Sequence, residues 1–374
     1  MKVLLLSTYE KTGGAAVAAS RLLQALRHNG VEATMLCRKN ISAPLLRILC
    51  PSLARKLEKQ SWTSIMERAV IWICNGFSMK DLWATDIALF GQDITKTKEY
   101  KEADVIHLHW INQGFLPLSQ IKRFIKDGKK VVWTMHDAWN TMGAYHLSIQ
   151  RQETLLERWT WRRKRKFYAL NEMQFVTCSQ WLSDEARHSK LMEQLSVKSI
   201  PNPIDTNIFA PQQTRKSGRR ILFVAQNVNN PMKGMSYLEE AVKMLKDKEA
   251  VEMIALGRDI PYINNEEDMA MLYNSVDAFV LPSLSENLPN TIMEAMACGI
   301  PCVAFGVGGI PEMIDHKENG YVARYKNSQD LADGIRYVLN PDNHERLSNA
   351  AREKVMKCYS EESVANLYKE VYCS

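Results

Sequence analysis

Glu286 and Glu294 are the carboxylates of this 374-residue chain whose setting says most about chemistry. They stand eight residues apart in FVLPSLSENLPNTIMEAMACGIPCVAFGVGGIPEMIDHKENGYVAR, residues 279–324. The stretch reads as strand, loop, helix, strand, glycine-rich loop, helix and strand. Asp277 to Pro282 is an apolar, β-rich run, so Glu286 falls just past the carboxyl end of a buried strand, the edge at which open parallel sheets take ligands. Pro289 and Asn290 open the helix and Gly299 ends it, which puts Glu294 in the second helical turn. One acid in the loop and one on the helix can hold two separate hydroxyl-bearing groups, and the helix N-terminus between them favours a phosphate. That arrangement suits a nucleotide sugar, with ribose at one acid, the sugar at the other and the diphosphate between. A solvated loop acid and a surface helix acid would show the same spacing, so the spacing by itself decides nothing.

The longer pattern is more specific. E-x7-E, a G-x-P strand entry and GG-x-P-E-x-I together resemble the GT-B-fold glycosyltransferases of family four, which are retaining enzymes. ENLPNTIMEAMACGIPCVAF resembles the branch found in bacterial exopolysaccharide and capsule clusters. The resemblance implies an α/β fold of GT-B architecture, with two Rossmann-like domains and a C-terminal helix crossing back to the N-domain. It implies donor binding mainly by the C-terminal domain and acceptor binding by the N-terminal one. The implied reaction moves a hexose-type sugar from a nucleotide diphosphate sugar to a hydroxyl of a growing surface glycan: exopolysaccharide, capsule or lipopolysaccharide. Relatives often act on lipid-linked acceptors.

Carried over residue by residue, the resemblance implies donor contacts from Glu286, Asn287, Leu288, Pro289, Asn290, Thr291 and Glu294. Gly13 and Gly14 match the family's glycine-rich loop, which faces donor phosphate and acceptor. His136, at the end of the strand KVVWTM, matches the histidine that contacts the donor sugar, and on the acceptor side the match extends to His109 and Asp137. Lys233-Gly234 matches the K-G before the first helix of the C-domain, where a lysine supplies a point charge to the departing diphosphate. His136, Lys233 and Glu286 are therefore the expected catalytic residues. Two departures stand beside this match. Ala225-Gln226 replaces the usual G-R, so Gln226 offers an amide where a second cation is expected. Only RDIPYI separates Gly257 from the acidic turn NNEED, where the family normally has a further helix and strand.

No residue pair offers the nucleophile and acid that a hydrolase needs. In the family reading the leaving diphosphate accepts the acceptor's proton, and the protein supplies position and charge. The sequence shows no D-x-D or other metal cluster, so metal-independent transfer without a cofactor is expected, with the nucleotide diphosphate sugar as co-substrate. A non-catalytic sugar-nucleotide-binding subunit, a nucleotide-sugar isomerase or a glycan phosphorylase on the same architecture remain alternatives, since fold does not fix function.

The elements that must position these residues are legible in part. The length calls for two domains. Lys2 to Ser7 reads as a first strand and Ala15 to His28 as an Ala-rich helix, but the loop between them lacks G-x-G-x-x-G and so does not signal a dinucleotide site. Ala103 to Trp110 and Lys130 to Met135 read as strands that end at His109 and His136. KSIPNP resembles the family's interdomain hinge, and PQQTRKSGRR reads as a linker. The expected domains are 1–200, closed by a returning segment 358–374, and 201–357. Residues 40–95 mix basic and apolar positions and read as a helical cover for the N-domain, or as an insertion facing acceptor or membrane.

Composition narrows the classes further. The eight cysteines form no C-x-x-C and pair with no histidine at zinc spacing, so a reduced, cytoplasmic setting is expected. No uncharged apolar run reaches about 18 residues, so no membrane span is expected. Net charge is +6, and residues 151–170 carry seven Lys and Arg against two Glu, a local +5, with Trp159, Trp161, Phe167 and Tyr168 interleaved. That segment reads either as a solvated helix face with its aromatics turned inward or as a peripheral contact with an anionic membrane. No nucleic-acid motif accompanies it, and a nucleic-acid partner is not expected.

Overall fold

In this computed structural model the residues described are 1–42, 58–146, 154–170, 172–212, 219–246, 250–261, 263 and 265–374. Cys50, the Arg151 and Glu153 end of the basic segment, and the greater part of the expected linker lie outside the described residues.

Two compact units account for the chain: Met1–Cys178 with Leu182–Ile200 and Leu367–Ser374, and Ser179–Trp181 with Pro201–Asn366. The first holds a six-stranded sheet in the order β2-β1-β3-β4-β5-β6. Its strands are β1 (Lys2–Ser7), β2 (Glu32–Cys37), β3 (Val105–Leu108), β4 (Lys130–Met135), β5 (Met173–Thr177) and β6 (Val197–Ser199). All pairings are parallel, with Leu4 opposite Thr34 and Ile106, and Val132 opposite His107 and Gln174. The run Val3 to Leu6 is almost wholly buried, because helices cover both faces of a parallel sheet. Helix α1 (Gly14–His28) follows β1 and turns Ala16, Ala19, Leu22 and Leu26 inward. Helix α2 (Trp62–Cys74), capped by the Ser61 side chain, is the described part of the 40–95 stretch that the sequence left open.

The second unit holds a five-stranded parallel sheet in the order β11-β10-β9-β7-β8. Its strands are β7 (Arg220–Val224), β8 (Glu252–Leu256), β9 (Ala278–Leu281), β10 (Cys302–Phe305) and β11 (Gly320–Ala323). Its core joins Ile221, Phe223, Val280, Val303 and Phe305 to Leu238, Leu331 and Ile335 from the covering helices. After β8 the chain folds back at once, Gly257 N–H donating to Ile260 O at 2.8 Å, and runs to the helix Glu266–Asn274. Among the described residues no strand lies between, so the short RDIPYI stretch leaves β8 at the sheet edge.

The expected closing segment 358–374 is corrected. Only Leu367–Ser374 groups with the first unit, where the Tyr368 and Tyr372 hydroxyls bond Thr134 (2.9 Å) and His107 (2.7 Å). Residues 358–366 stay with the second unit, because Ile204 N–H donates to Tyr359 O at 2.9 Å and Ile204 bridges Ser360. Ser179–Trp181, placed in the N-domain on sequence, also groups with the second unit: the Gln180 and Trp181 N–H groups both donate to the Glu312 carboxylate, at 2.7 and 2.6 Å. Among the described residues no helix is long and apolar enough to cross a membrane.

Candidate functional site

In the second unit two glycines bring the charged residues together. Pro231–Lys233 is a single tight turn, capped by the Asn230 side chain, and Gly234 leaves it at φ +71°. A Cβ at Gly234 would lie 1.9 Å from Pro282 O, so only glycine lets this turn lie against the end of β9. Leu284 N–H then donates to Met232 O at 2.8 Å. The result is an ion pair, Lys233 Nζ to Glu286 Oε1 at 2.5 Å, with the side chains 32% and 14% exposed. Gly308, at φ +56°, plays the same part on the other side: a Cβ there would lie 1.9 Å from Glu286 O. Gly309 N–H donates to Asn287 O at 2.7 Å. The GG-x-P-E loop is therefore built against the backbone of Glu286 and Asn287.

Helix Asn290–Ala297 starts four residues past Glu286, with Pro289 at its cap position and no side-chain capping bond. Glu294 is 8% exposed and accepts a hydrogen bond from the Tyr273 hydroxyl at 2.8 Å. Burial first, and Glu294 next, push that hydroxyl well above its usual range, so Tyr273 is a fixed donor that orients the carboxylate. Asn290 Oδ1 accepts from Asn202 at 3.2 Å, and Asn287 Oδ1 accepts from Ser179. Leu288 and Pro289 are buried, whereas Asn287, Asn290 and Thr291 are half-buried. Gln226, two residues past β7, is exposed.

The first unit carries a second cluster. Gly13, at φ +90°, precedes α1 with open space around it and no side-chain cap, and Gly14 is the first helical residue. His109 and His136 follow β3 and β4 directly, and their Nδ1 and Nε2 atoms meet at 3.0 Å with the rings stacked. Burial holds His136 near 4 and His109 well below its usual value, so both are neutral at pH 7 and one donates to the other. His109 is 3% exposed and its Nε2 has no hydrogen-bond partner, so the acceptor-side placement expected for it gives way to a buried support for His136.

Asp137 is likewise drawn inward. Its oxygens accept from Trp139 N–H (2.9 Å), Trp110 Nε1–H (3.1 Å) and His146 Nδ1 (2.7 Å). His146 Nε2 reaches Asp86 Oδ2 at 2.8 Å, and the other Asp86 oxygen is paired with Arg68 and accepts from Gln113 N–H. Burial opposes charge on His146, but Asp137 and Asp86 outweigh it and raise the imidazole to about 9. It is an imidazolium clamped between two aspartates. Sequence reasoning missed Arg68, Asp86 and His146. The one available signal was the charged pair Glu67-Arg68 inside the apolar run SIMERAVIWIC.

The basic segment divides between surface and interior. It forms a helix, Leu155–Tyr168, capped by Thr154. Lys164 is fully buried over the Trp139 ring and donates to the Trp139 and Met142 carbonyls. Arg163 donates to Ile87 O at 2.8 Å, and Glu157 accepts from the Gly143 and Ala144 N–H groups. Arg163 and Lys164, two of the six described cations of the run, thus point inward, Lys164 bracing the 138–144 loop that presents Asp137, while Arg158, Arg162, Arg165 and Lys166 stay exposed.

A family model described as Glycosyltransferase Family 4 matches residues 12–208, more than half of the chain, and one described as Glycosyl transferases group 1 matches 218–341. The chain belongs to glycosyltransferase family 4. Across most of its length it is similar to N-acetyl-alpha-D-glucosaminyl L-malate synthase of Bacillus anthracis, at 20% identity over 80% of this chain and 81% of the relative. Over shorter parts it is similar to the N,N'-diacetylbacillosaminyl-diphospho-undecaprenol alpha-1,3-N-acetylgalactosaminyltransferase of Campylobacter jejuni, at 32% identity over 37% of this chain and 41% of the relative. Among solved structures, sucrose-phosphate synthase from Thermosynechococcus elongatus aligns over 100% of this chain and 98% of its own, with a TM-score of 0.66 at 16% identity. Anabaena HepE in complex with UDP and glucose aligns over 100% of both chains, with a TM-score of 0.60 at 15% identity. These likenesses establish the GT-B fold, and the family makes the protein a glycosyltransferase.

Proposed function

We propose that this glycosyltransferase moves a sugar from a nucleoside diphosphate sugar to a glycan hydroxyl with retention, in the synthesis of a bacterial surface polysaccharide. The observation that carries the reading is the Lys233–Glu286 ion pair at the carboxyl edge of β9, beside the uncapped start of helix 290–297. With its lysine about a third exposed, the pair is held by modest net energy, so a diphosphate can take Lys233 from Glu286. The exchange would leave Lys233 on the leaving group and free the Glu286 carboxylate for sugar hydroxyls. Glu294, fixed by Tyr273, would accept the ribose hydroxyls, and Asn287 to Thr291 would line the path between. His136, neutral and seated on His109, would contact the donor sugar, and Gly13 and Gly14 would let a phosphate or acceptor come close to the start of α1.

The leaving diphosphate would take the acceptor's proton on the same face, so no protein base, metal or cofactor enters the proposal. The name of the Campylobacter relative, with its diphospho-undecaprenol, favours a lipid-linked acceptor and work at the inner face of the cytoplasmic membrane. Gln226 supports a second reading, a subunit that binds sugar nucleotide without turnover, because it adds no charge at the diphosphate. A thermal-shift series of UDP, GDP, ADP and CMP and their sugars tests the donor class. UDP comes first because HepE is described with it. A true donor at 100 times its Kd should add roughly 2.7 kcal/mol of stability, and release of nucleoside diphosphate from that donor separates the enzyme from the subunit. Stabilisation by none of them would end the donor reading.

A further inference from the structure

Helix α2 is built inside out. Its inward face carries Ser64, Glu67, Arg68 and Ile71, each at most 5% exposed. Its outward face carries Trp62, Met66 and Ile73, which are 70%, 50% and 56% exposed. An ordinary surface helix shows the reverse order, because water, not the core, should meet the polar stripe. The outward face continues past the helix end into Phe77, Met79 and Trp83, 63%, 66% and 53% exposed, with the Phe77 ring set edge-on to Trp72 at 4.8 Å. Fourteen large apolar side chains are exposed among the described residues, and seven of them fall between 62 and 83. A concentration of this kind marks a surface that is covered in use.

Charge identifies what covers it. The first unit holds 31 Lys and Arg against 19 Asp and Glu, a net of +12, while the second holds 17 against 23, a net of −6. The apolar face lies on the cationic unit. Its neighbour, helix Leu155–Tyr168, shares a core cluster with α2 through Leu156 and Ile71, and bears exposed Arg158, Arg162, Arg165 and Lys166 together with Leu155 (83% exposed) and Trp159 (42%). Tryptophan, phenylalanine and methionine with arginine and lysine on the neighbouring helix suit an anionic lipid surface, where the rings enter the acyl boundary and the cations stay at the phosphates. At 13 residues α2 is about 20 Å long, too short to span a bilayer and able only to lie along it.

We propose that the outward face of α2 and the 77–83 turn form a docking surface for a lipid bilayer bearing anionic headgroups. The apolar part of the surface, 62–83, lies outside the basic run that the sequence pointed to, only the exposed cations of that run add to it, and the proposal does not depend on the sugar-transfer reading.

The test is co-sedimentation of the full chain with phosphatidylcholine vesicles, with and without 30% phosphatidylglycerol, as a function of salt. Brominated lipids added to the same vesicles report tryptophan depth. Wild type should pellet with the anionic vesicles at low salt, show quenched tryptophan fluorescence and be released as salt rises. Trp62→Ser with Phe77→Ser and Met79→Ser should lower the partition at least tenfold and leave the far-ultraviolet spectrum and melting temperature unchanged, since all three side chains are exposed. Met271→Ser with Tyr325→Ser, exposed on the second unit, should partition as wild type does. Wild type remaining in the supernatant at low salt would overturn the proposal, as would a triple variant that still binds fully. So would wild type that dimerises in light scattering without binding vesicles, with the triple variant monomeric, because the face would then be an interface between protein copies.

Discussion

The two units hold their charged residues in opposite ways. In the second unit, Lys233 and Glu286 meet at 2.5 Å with the lysine about a third exposed, in a turn that glycines hold close to a strand end. In the first, Arg68, Asp86, His146 and Asp137 form a chain in which Asp86 is fully buried and every Asp86 and Asp137 oxygen has a donor. On the proposed reading, one is an exchangeable pair, in which a ligand replaces a partner at little cost. The other is a locked network whose members fix the 137–146 loop. On that reading, similar residue types serve binding in one place and positioning in the other, and burial decides which.

Stability measurements give the largest expected contrast. Arg68→Met leaves the buried Asp86 short of one partner and should cost about 3–5 kcal/mol by denaturant unfolding. Lys233→Met breaks a half-exposed pair and should cost only ~0–1 kcal/mol. Equal losses in the two variants would erase the distinction.

Activity should show the reverse order. Lys233→Ala is expected to lower turnover by about a hundredfold or more while the fold persists, as loss of one preorganised charge does. Gln226→Arg should raise turnover by supplying the second cation. Unchanged turnover in Lys233→Ala, measured as nucleoside diphosphate released from the donor, would remove Lys233 from the site.

Within the first unit the buried histidines respond to pH in opposite ways. His146 has its folded pKa raised from 6.5 to about 9, since Asp137 and Asp86 outweigh burial. Its contribution to stability is complete below about pH 6.5 and is lost as pH rises through 9. Burial depresses His136 to about 4 and His107 to about 3, so their contribution is present above pH 6.5 and is lost as pH falls through those values. Melting curves should therefore show stability declining on both sides of pH 6.5, and His146→Gln should flatten the alkaline side. An unchanged alkaline limb in that variant would mean that His146 is not charged.

The same contrast explains what the sequence made legible. The second-unit site comes from two short stretches, 231–234 and 284–312, and each glycine, proline and acid there has a local geometric duty that leaves a pattern. Strand ends, the helix start at Asn290 and the nearness of Lys233 to Glu286 follow from it. The first-unit network joins residues 68, 86, 110, 137 and 146 through contacts that only the folded sheet creates, so no spacing announces it. Lys164 shows the limit most clearly: in a run of five cations nothing marks the one that is buried over Trp139. The inverted face of α2 was hidden for a related reason, since an apolar stripe reads the same whether it faces a core or a membrane.

The central claim is the exchange of Lys233 between Glu286 and a diphosphate, and titration calorimetry on two variants tests it directly. Glu294→Ala should weaken nucleoside diphosphate and intact donor alike, by about 1.5–3 kcal/mol for a lost charged hydrogen bond. Glu286→Ala should bind nucleoside diphosphate as tightly as wild type or more tightly, because Lys233 is released, and should weaken the intact donor. Equal affinities for both ligands in both variants, or weaker nucleoside diphosphate binding by Glu286→Ala, would contradict the exchange.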